Sequence, residues 1–348
     1  MSKLLTRRNF TTATLGLAAA SALPRVARAQ TTTLKMILNW RYQGPQAWFF
    51  DAADKGYFKE EGIELVMDQG DGSGAAVGKV ASGAYDVGFG DINALIQLAA
   101  QKPGATPICV QVLYNQPPFT IAVKSSSAIK TPKDLEGKTI GGPANDGALK
   151  LFPAFAKLAG IDASKVTITN MAPNLRENML QQGQVDGVFG FVNTIRFSAK
   201  LARIDPDKDF RFINYGDSGM DLYSNAVVVS KKLVDENPKL VAGLVRAINK
   251  GVRNVIADPK GSIATVTKRE PLINAAVEYE RLIATLKDEM NHPELAKIGL
   301  GDVDDARLKK SIDILVEANG LPRTPAVSEI FTRAFLPPLA DRPKSVGV

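Results

Sequence analysis

A chain of 348 residues with one cysteine and one histidine lacks the side chains on which much enzyme chemistry depends. Cys109 alone excludes an internal disulfide framework and any multi-cysteine metal site. His292 alone removes most histidine-dependent hydrolase and metal chemistry. Long hydrophobic runs are also missing: no stretch approaches the ~20 apolar residues that a transmembrane helix requires. Aromatic residues make up only 7%, yet 45% of the chain is hydrophobic and 23% charged, which excludes disorder for the bulk, and the length allows two domains of ordinary size or one large α/β unit.

The formal charge of +7 would suggest an acidic partner such as nucleic acid, but its location argues otherwise. Residues 1–29 contain Lys3, Arg7, Arg8, Arg25 and Arg28 and no acidic residue, so five of the seven units lie there. That segment runs from a basic start through the mildly apolar Ala13 to Leu23 and ends in Ala27-Arg28-Ala29. It reads as an export signal cleaved near Ala29. Thr6-Arg7-Arg8-Asn9-Phe10 is similar to a twin-arginine motif, the alternative being a Sec signal with an incidental Arg pair. A lipoprotein would need a Cys at the cleavage point, and Cys109 is far from it. The remainder is nearly neutral, so we expect a soluble periplasmic protein, monomeric, with no nucleic-acid partner.

Beyond the signal, strand and helix patterns alternate. Strands are predicted at 34–38, 63–67 and 87–89, with helices opening at Pro45, at Ser73 and after Asp91, which caps its helix. Two strand-like runs, 107–113 and 119–123, follow with only Tyr114-Asn115-Gln116-Pro117-Pro118 between them, a candidate crossing between lobes. Alternation resumes with strands at 139–141, 166–170 and 188–191. Further strands are expected at 210–214 and 226–229, and helices near 238–257, 272–290, 304–318 and 325–335. The expected fold is α/β with two lobes, each a mainly parallel sheet flanked by helices, and a helical C-terminal region. Lobe I would comprise 34–123 and 226–348, and lobe II 124–225. An internal echo supports this: Gly83-Ala84-Tyr85-Asp86-Val87-Gly88-Phe89-Gly90 and Gly183-Gln184-Val185-Asp186-Gly187-Val188-Phe189-Gly190 lie one hundred residues apart, and Asn93 and Asn193 extend the match. Shared βα turn grammar is the alternative to duplication.

In such folds ligands bind beyond the carboxyl ends of the strands. Those ends supply Asn39 and Trp40, the Gly-rich Asp71-Gly72-Ser73-Gly74, Asp91 with Asn93, Asn145 with Asp146, and Asn193 after Phe191. The crossings add Tyr114 and Asp221. Trp40 and Tyr114 could clamp a flat ring, although both residue types are also common packing groups. Arg41 and Arg196 could pair with a ligand anion, or could be solvated surface charges. Trp48 and Phe49 read as core. The Gly-rich loop matches neither the Walker nor the dinucleotide spacing, and a flexible turn is its plain reading. No cofactor is implied, and His292 has no triad around it.

Three elements carry a family resemblance: Asn39-Trp40; Lys55-Gly56-Tyr57-Phe58-Lys59-Glu60-Glu61-Gly62-Ile63; and Gly83-x-x-Asp86-Val87-Gly88. Leu135-Glu136-Gly137-Lys138-Thr139-Ile140-Gly141 adds to them. From about Leu34 to about Ser230 the chain resembles solute-binding proteins of ABC importers in the THI5-like family, also called the NMT1/SsuA-like group. The resemblance implies a type II periplasmic binding protein, not an enzyme, whose two lobes close on a small molecule and present it to a membrane permease. Implied ligands are thiamine pyrimidine precursors, sulfonates such as taurine, nitrate or aromatic acids. Asn39 and Trp40 match the ligand-contacting segment of pyrimidine-binding members, and Ser73, Asn145 and Asp146 match loops that open helices toward the cleft. Pyrimidine binders often continue Asn-Trp with Pro-Asn-x-x-His, where this chain has Arg41-Tyr42-Gln43-Gly44-Pro45-Gln46. The fungal THI5 enzymes use a His and a Cys-rich motif that this chain lacks. A pyrimidine-synthesising enzyme and a ligand-sensing periplasmic protein are the alternative readings.

Overall fold

The computed structural model describes residues 31–104 and 106–347, so the expected export signal lies outside the described residues. Ten strands form two five-stranded sheets: β1 (Thr32–Ile37), β2 (Ile63–Asp68), β3 (Val87–Asp91), β4 (Ile108–Val112), β5 (Phe119–Lys124), β6 (Thr139–Gly142), β7 (Thr167–Asn170), β8 (Gly187–Phe191), β9 (Phe210–Asn214) and β10 (Asn225–Val229). The first sheet has the order β2-β1-β3-β10-β4 and the second β7-β6-β8-β5-β9. In each, four strands run in one direction and one strand, β10 or β5, is antiparallel to both of its neighbours. Helices flank both sheets, as the alternating pattern implies.

The internal echo has a physical basis. Asp86 accepts a hydrogen bond from the Lys35 amide at 2.9 Å, and Asp186 accepts one from the Thr139 amide at 2.8 Å, so each ties the turn before its strand to the parallel neighbour of that strand, β1 or β6. Gly83 and Gly183 take left-handed φ of 77° and 74° at the turn before each strand. Phe89 and Phe189 are fully buried on β3 and β8. At Gly90 an added Cβ would lie 2.7 Å from the Ser73 carbonyl, and at Gly190 it would lie 2.5 Å from the Arg176 guanidinium. The paired glycines therefore admit a helix start in one lobe and a cation in the other.

Three expectations change. β5 pairs with β8 and β9, so the chain enters the second lobe at Phe119, ahead of the expected boundary after 123. The 325–335 helix shrinks to Val327–Ile330, because Phe331 pairs beside Cys109 and Pro337-Pro338 follow. The 272–290 helix is Ala275–Thr285 followed by a π-helical turn, Leu286–Met290. Moreover, the C-terminal helices do not belong to the first lobe alone. Lys200 pairs with Glu280 and Lys157 with Glu317, which ties Ala275–Thr285 and Asp305–Asn319 to helices of the second lobe. Trp48 and Phe49 are fully buried in the core, as expected. Among the described residues no helix is long and apolar enough to cross a membrane.

Candidate functional site

Two segments connect the lobes, 113–118 between β4 and β5 and 215–224 between β9 and β10. Between the lobes lie two narrow, adjoining cavities that share Asn39, Trp40, Phe191 and Thr194 as walls. Ser73 and Asp146 complete one; Tyr114, Asn193, Arg281 and Glu289 line the other. They measure about 20 and 10 Å³, room for little more than a water each, so the lobes must part to admit a ring system.

The closure is tight at the Gly-rich loop. A Cβ on Gly72 would sit 2.2 Å from the Asn145 carbonyl oxygen of the opposite lobe, and one on Gly147 would sit 2.8 Å from Ser73 Oγ. Only glycine lets the two helix starts approach so closely. Gly72→Ala is therefore expected to hold the lobes apart and weaken ligand binding about tenfold. A larger radius of gyration in small-angle scattering with saturating ligand would accompany it, and unchanged scattering with unchanged affinity would refute it.

The expected site residues fall into two groups. Asn39, Trp40, Ser73, Tyr114, Asp146 and Asn193 meet at the interlobe cavities. Asn39 Oδ1 accepts from Gln46 Nε2 at 2.9 Å, and Ser73 Oγ is buried without a protein partner. Asp91 and Asn93 line neither cavity: Asp91 accepts from the Asn93 amide and side chain, and Asn93 also donates to the Tyr223 carbonyl at 2.7 Å. Their geometry is that of a helix cap tied to the second crossing. Asn145 is half-buried and lines neither cavity, 3.5 Å from Asp71, and Asp221 is exposed and paired with Arg307 at 2.7 Å. Tyr114 packs edge-on against Phe89 and Trp48, so it turns its hydroxyl rather than an open ring face toward Glu289. Arg41 is exposed and lines neither cavity, and Arg196 is held by Asp207 and lies over Phe212.

Three charged groups at the cleft, Arg176, Arg281 and Glu289, are not among the residues expected from sequence. Arg176, 1% exposed, bonds Glu177 at 2.7 and 2.9 Å, lies 3.7 Å from Asp146, and stands 5.9 Å from the centre of the Trp40 ring. It follows β7 in the same manner as the other strand-end residues, which is the signal that could have found it. Arg281 pairs with Glu278 and also donates to the Thr194 carbonyl across the cleft at 3.3 Å. Glu289 accepts from Asn193 at 3.3 Å. Neither Arg281 nor Glu289 lies on a strand end, so periodicity marks them only as helical positions.

Burial shifts the acids upward. Asp91 is pushed up to about 7 by desolvation, against the pull of its Asn93 hydrogen bonds. Glu289 rises to about 8 through desolvation and the neighbouring Asp288, with Asn193, Arg281 and Tyr114 opposing. Asp146 is raised by burial despite Arg176 and two backbone amides. A carboxyl whose pKa is higher folded than unfolded binds protons more tightly in the native state, so its contribution to stability is present at low pH and lost as pH rises through the folded value. Stability should accordingly decline from about pH 5 to pH 8. Glu289→Gln should flatten the upper part of that decline in urea titrations, and an unaltered profile would contradict the assignment.

Two lobes on two crossings, with polar and aromatic strand ends facing one another across a closing cleft, define the architecture of a periplasmic binding protein. Residues 46–262 match the model of the NMT1/THI5 like family, and the chain belongs to that family. It is 25% identical over 342 residues to the riboflavin-binding protein RibY of Chloroflexus aurantiacus, covering 96% of this chain and 95% of that one. It is 22% identical over 274 residues to the 4-amino-5-hydroxymethyl-2-methylpyrimidine phosphate synthase of Aspergillus parasiticus, covering 75% and 79%. Among solved structures, the alkanesulfonate-binding protein SsuA of Xanthomonas axonopodis pv. citri bound to MOPS aligns with a TM-score of 0.65 at 18% identity, covering 87% of this chain and 99% of that one. The periplasmic aliphatic sulphonate binding protein SsuA of Escherichia coli aligns with a TM-score of 0.62 at 18% identity, covering 86% and 92%.

Proposed function

We propose that this chain is the periplasmic solute-binding component of an ABC importer, and that its ligand is a neutral planar nitrogen heterocycle of the pyrimidine or flavin type. The observation that carries the ligand class is the charge balance of the cleft. Its guanidiniums are already neutralised, Arg176 by Glu177 and Arg281 by Glu278, while Asp146 and Glu289 remain as carboxyl groups with raised proton affinity. Such a site offers acceptors and neutral donors but no spare cation, so a sulfonate or nitrate would be desolvated without compensation. A ring bearing N–H groups and ring nitrogens satisfies the same side chains and can stack on Trp40.

The names of the relatives fit this reading, since one binds riboflavin and others make a pyrimidine phosphate. A binding role is favoured over synthesis because the two residues with the readiest chemistry are away from the cleft. Cys109 is buried on β4, and His292 Nδ1 accepts from the Glu294 amide at 3.3 Å beside the Arg307 cluster. The closed form would be the one presented to the membrane permease.

Native mass spectrometry of protein purified without refolding should reveal a retained heterocycle. Calorimetric titration should then give saturable binding of riboflavin or 4-amino-5-hydroxymethyl-2-methylpyrimidine and none of taurine or nitrate. Taurine binding without heterocycle binding would overturn the charge argument.

A further inference from the structure

How two lobes part depends on where their connections bend, and a charged pair from the C-terminal region bears on both connections. At their first-lobe ends the crossings are stitched together: the Leu113 and Tyr114 amides donate to the Asn225 carbonyl at 3.1 and 3.0 Å, and the Ser224 amide donates to the Tyr114 carbonyl at 3.0 Å. Arg307 fastens both crossings again. Its guanidinium donates to the Asn115 carbonyl at 2.6 Å, to Asp221 at 2.7 Å and to Glu294 at 3.0 Å, and it lies 4.2 Å from the centre of the Tyr223 ring. Glu294 in turn accepts from Asn115 Nδ2 at 2.9 Å and from the Tyr223 hydroxyl at 2.9 Å. The side chains of this pair are only 10% and 11% exposed, so it is not a solvated surface contact. Its own segment is held to the first sheet, where the Gly301 carbonyl accepts from the Val112 amide at 3.0 Å.

What stays unfastened is short. On the far side the Pro118 carbonyl accepts from the Val192 amide and the Phe119 carbonyl from the Tyr215 amide, so those positions go with the second lobe. The Gln116 amide donates to the Glu289 carbonyl of the π turn at 2.9 Å. Between these anchors lie Pro117-Pro118 in one crossing and Gly216–Gly219 in the other. The two links adjoin, since a Cβ on Gly216 would lie 3.2 Å from Pro117 Cγ. Gly219 takes a left-handed φ of 88°. A cavity of about 460 Å³ borders Pro117, Pro118 and Gly216, which gives both links room to turn.

We propose that Arg307 is a positioning residue for ligand capture: by locking the first-lobe halves of both crossings to the C-terminal region, it confines opening and closing to one axis through Pro117-Pro118 and Gly216–Gly219. A planar guanidinium serves three acceptors at once, which a lysine ammonium on a flexible stem does less well. Without this clamp the lobes sample a wider range of openings, the fraction competent to close falls, and apparent affinity falls with it.

Distances between spin labels test this on the full chain without any ligand. Cys109 is buried, so labels go to Lys232→Cys in the first lobe and Lys208→Cys in the second, both at exposed positions. Relative to the otherwise unchanged protein, Arg307→Met should widen the ligand-free distance distribution about twofold, and Arg307→Lys should recover part of the difference. Arg246→Met, which removes an exposed pair with Glu61 on the first lobe, should leave the width unchanged. Riboflavin affinity should fall about tenfold in Arg307→Met. That last measurement rests on the importer reading and the widths do not: absence of riboflavin binding by the unaltered protein would count against the importer reading and leave the widths to decide. Should Arg307→Met fail to fold by circular dichroism, Asp221→Asn, which releases only the second crossing, takes its place with a smaller widening expected. An unchanged width, equal widening by Arg246→Met, no recovery by Arg307→Lys, or unchanged riboflavin affinity beside a wider distribution would each overturn the proposal.

Discussion

Replacing Arg281 by Met should lower the unfolding free energy by about 3–5 kcal/mol, the cost of leaving a buried charge without its partner. Arg281 and Glu278 are 1% and 0% exposed at the side chain and bonded at 3.0 and 3.2 Å. Glu278 also accepts from the Gly44 amide at 2.8 Å, so one carboxylate fixes both the C-terminal helix and the loop that follows Trp40. Arg281 reaches the second lobe twice, through the Thr194 carbonyl and by lying 5.5 Å from the Phe197 ring centre. The loss should therefore include weaker closure as well as lower stability. Because the penalty arises from the orphaned carboxylate, the double change Arg281→Met/Glu278→Gln should recover much of it while keeping an acceptor for Gly44. Urea unfolding of the three proteins checks this. A single change costing under about 1 kcal/mol, or a double change no better than the single, would show that the pair is not what holds this junction.

Trp40→Ala should weaken the retained cleft ligand by about thirtyfold or more, in line with removal of a central aromatic from a closed site. Trp40 is half-buried at the mouth of both interlobe cavities, and Arg176 lies against its ring. Stability should change little, since the ring is not in the core. Trp40→Phe should restore most of the affinity, because a ring face is kept. Equal affinity of wild type and Trp40→Ala for the ligand identified by mass spectrometry would remove Trp40 from the site.

The architecture was legible because its signals are local. Strands bounded by Gly and Asp, and helices opened by Pro, Ser or Asp, report their own ends, and the hundred-residue echo carried the equivalence of β3 and β8. The candidate site was legible where a polar or aromatic side chain lies in the loop just beyond a strand, as at Asn39, Trp40, Ser73, Tyr114, Asp146 and Asn193, which line the interlobe cavities. Asp91 and Asn93 satisfy the same rule but spend their polar atoms on a helix start and the Tyr223 carbonyl. Asp146 caps its helix too, accepting from the Ala148 and Leu149 amides, but it also lines an interlobe cavity, so an Asp that only caps and one that also faces the cleft look alike in sequence. Arg281 and Glu289 were hidden for the opposite reason. They come from the far end of the chain, and only the tertiary fold brings that helix over the cleft.

The placement of β10 also sets the order in which the molecule can be completed. Every strand of the first sheet except one is encoded before residue 113, yet the missing one lies in the middle, between β3 and β4. Until residue 229 has left the ribosome, β3 and β4 have no common neighbour, and the half of the protein made first cannot close its sheet. The second lobe, whose strands run without interruption from Phe119 to Asn214, can be finished earlier. The lobe that starts the chain is thus the last to be sealed.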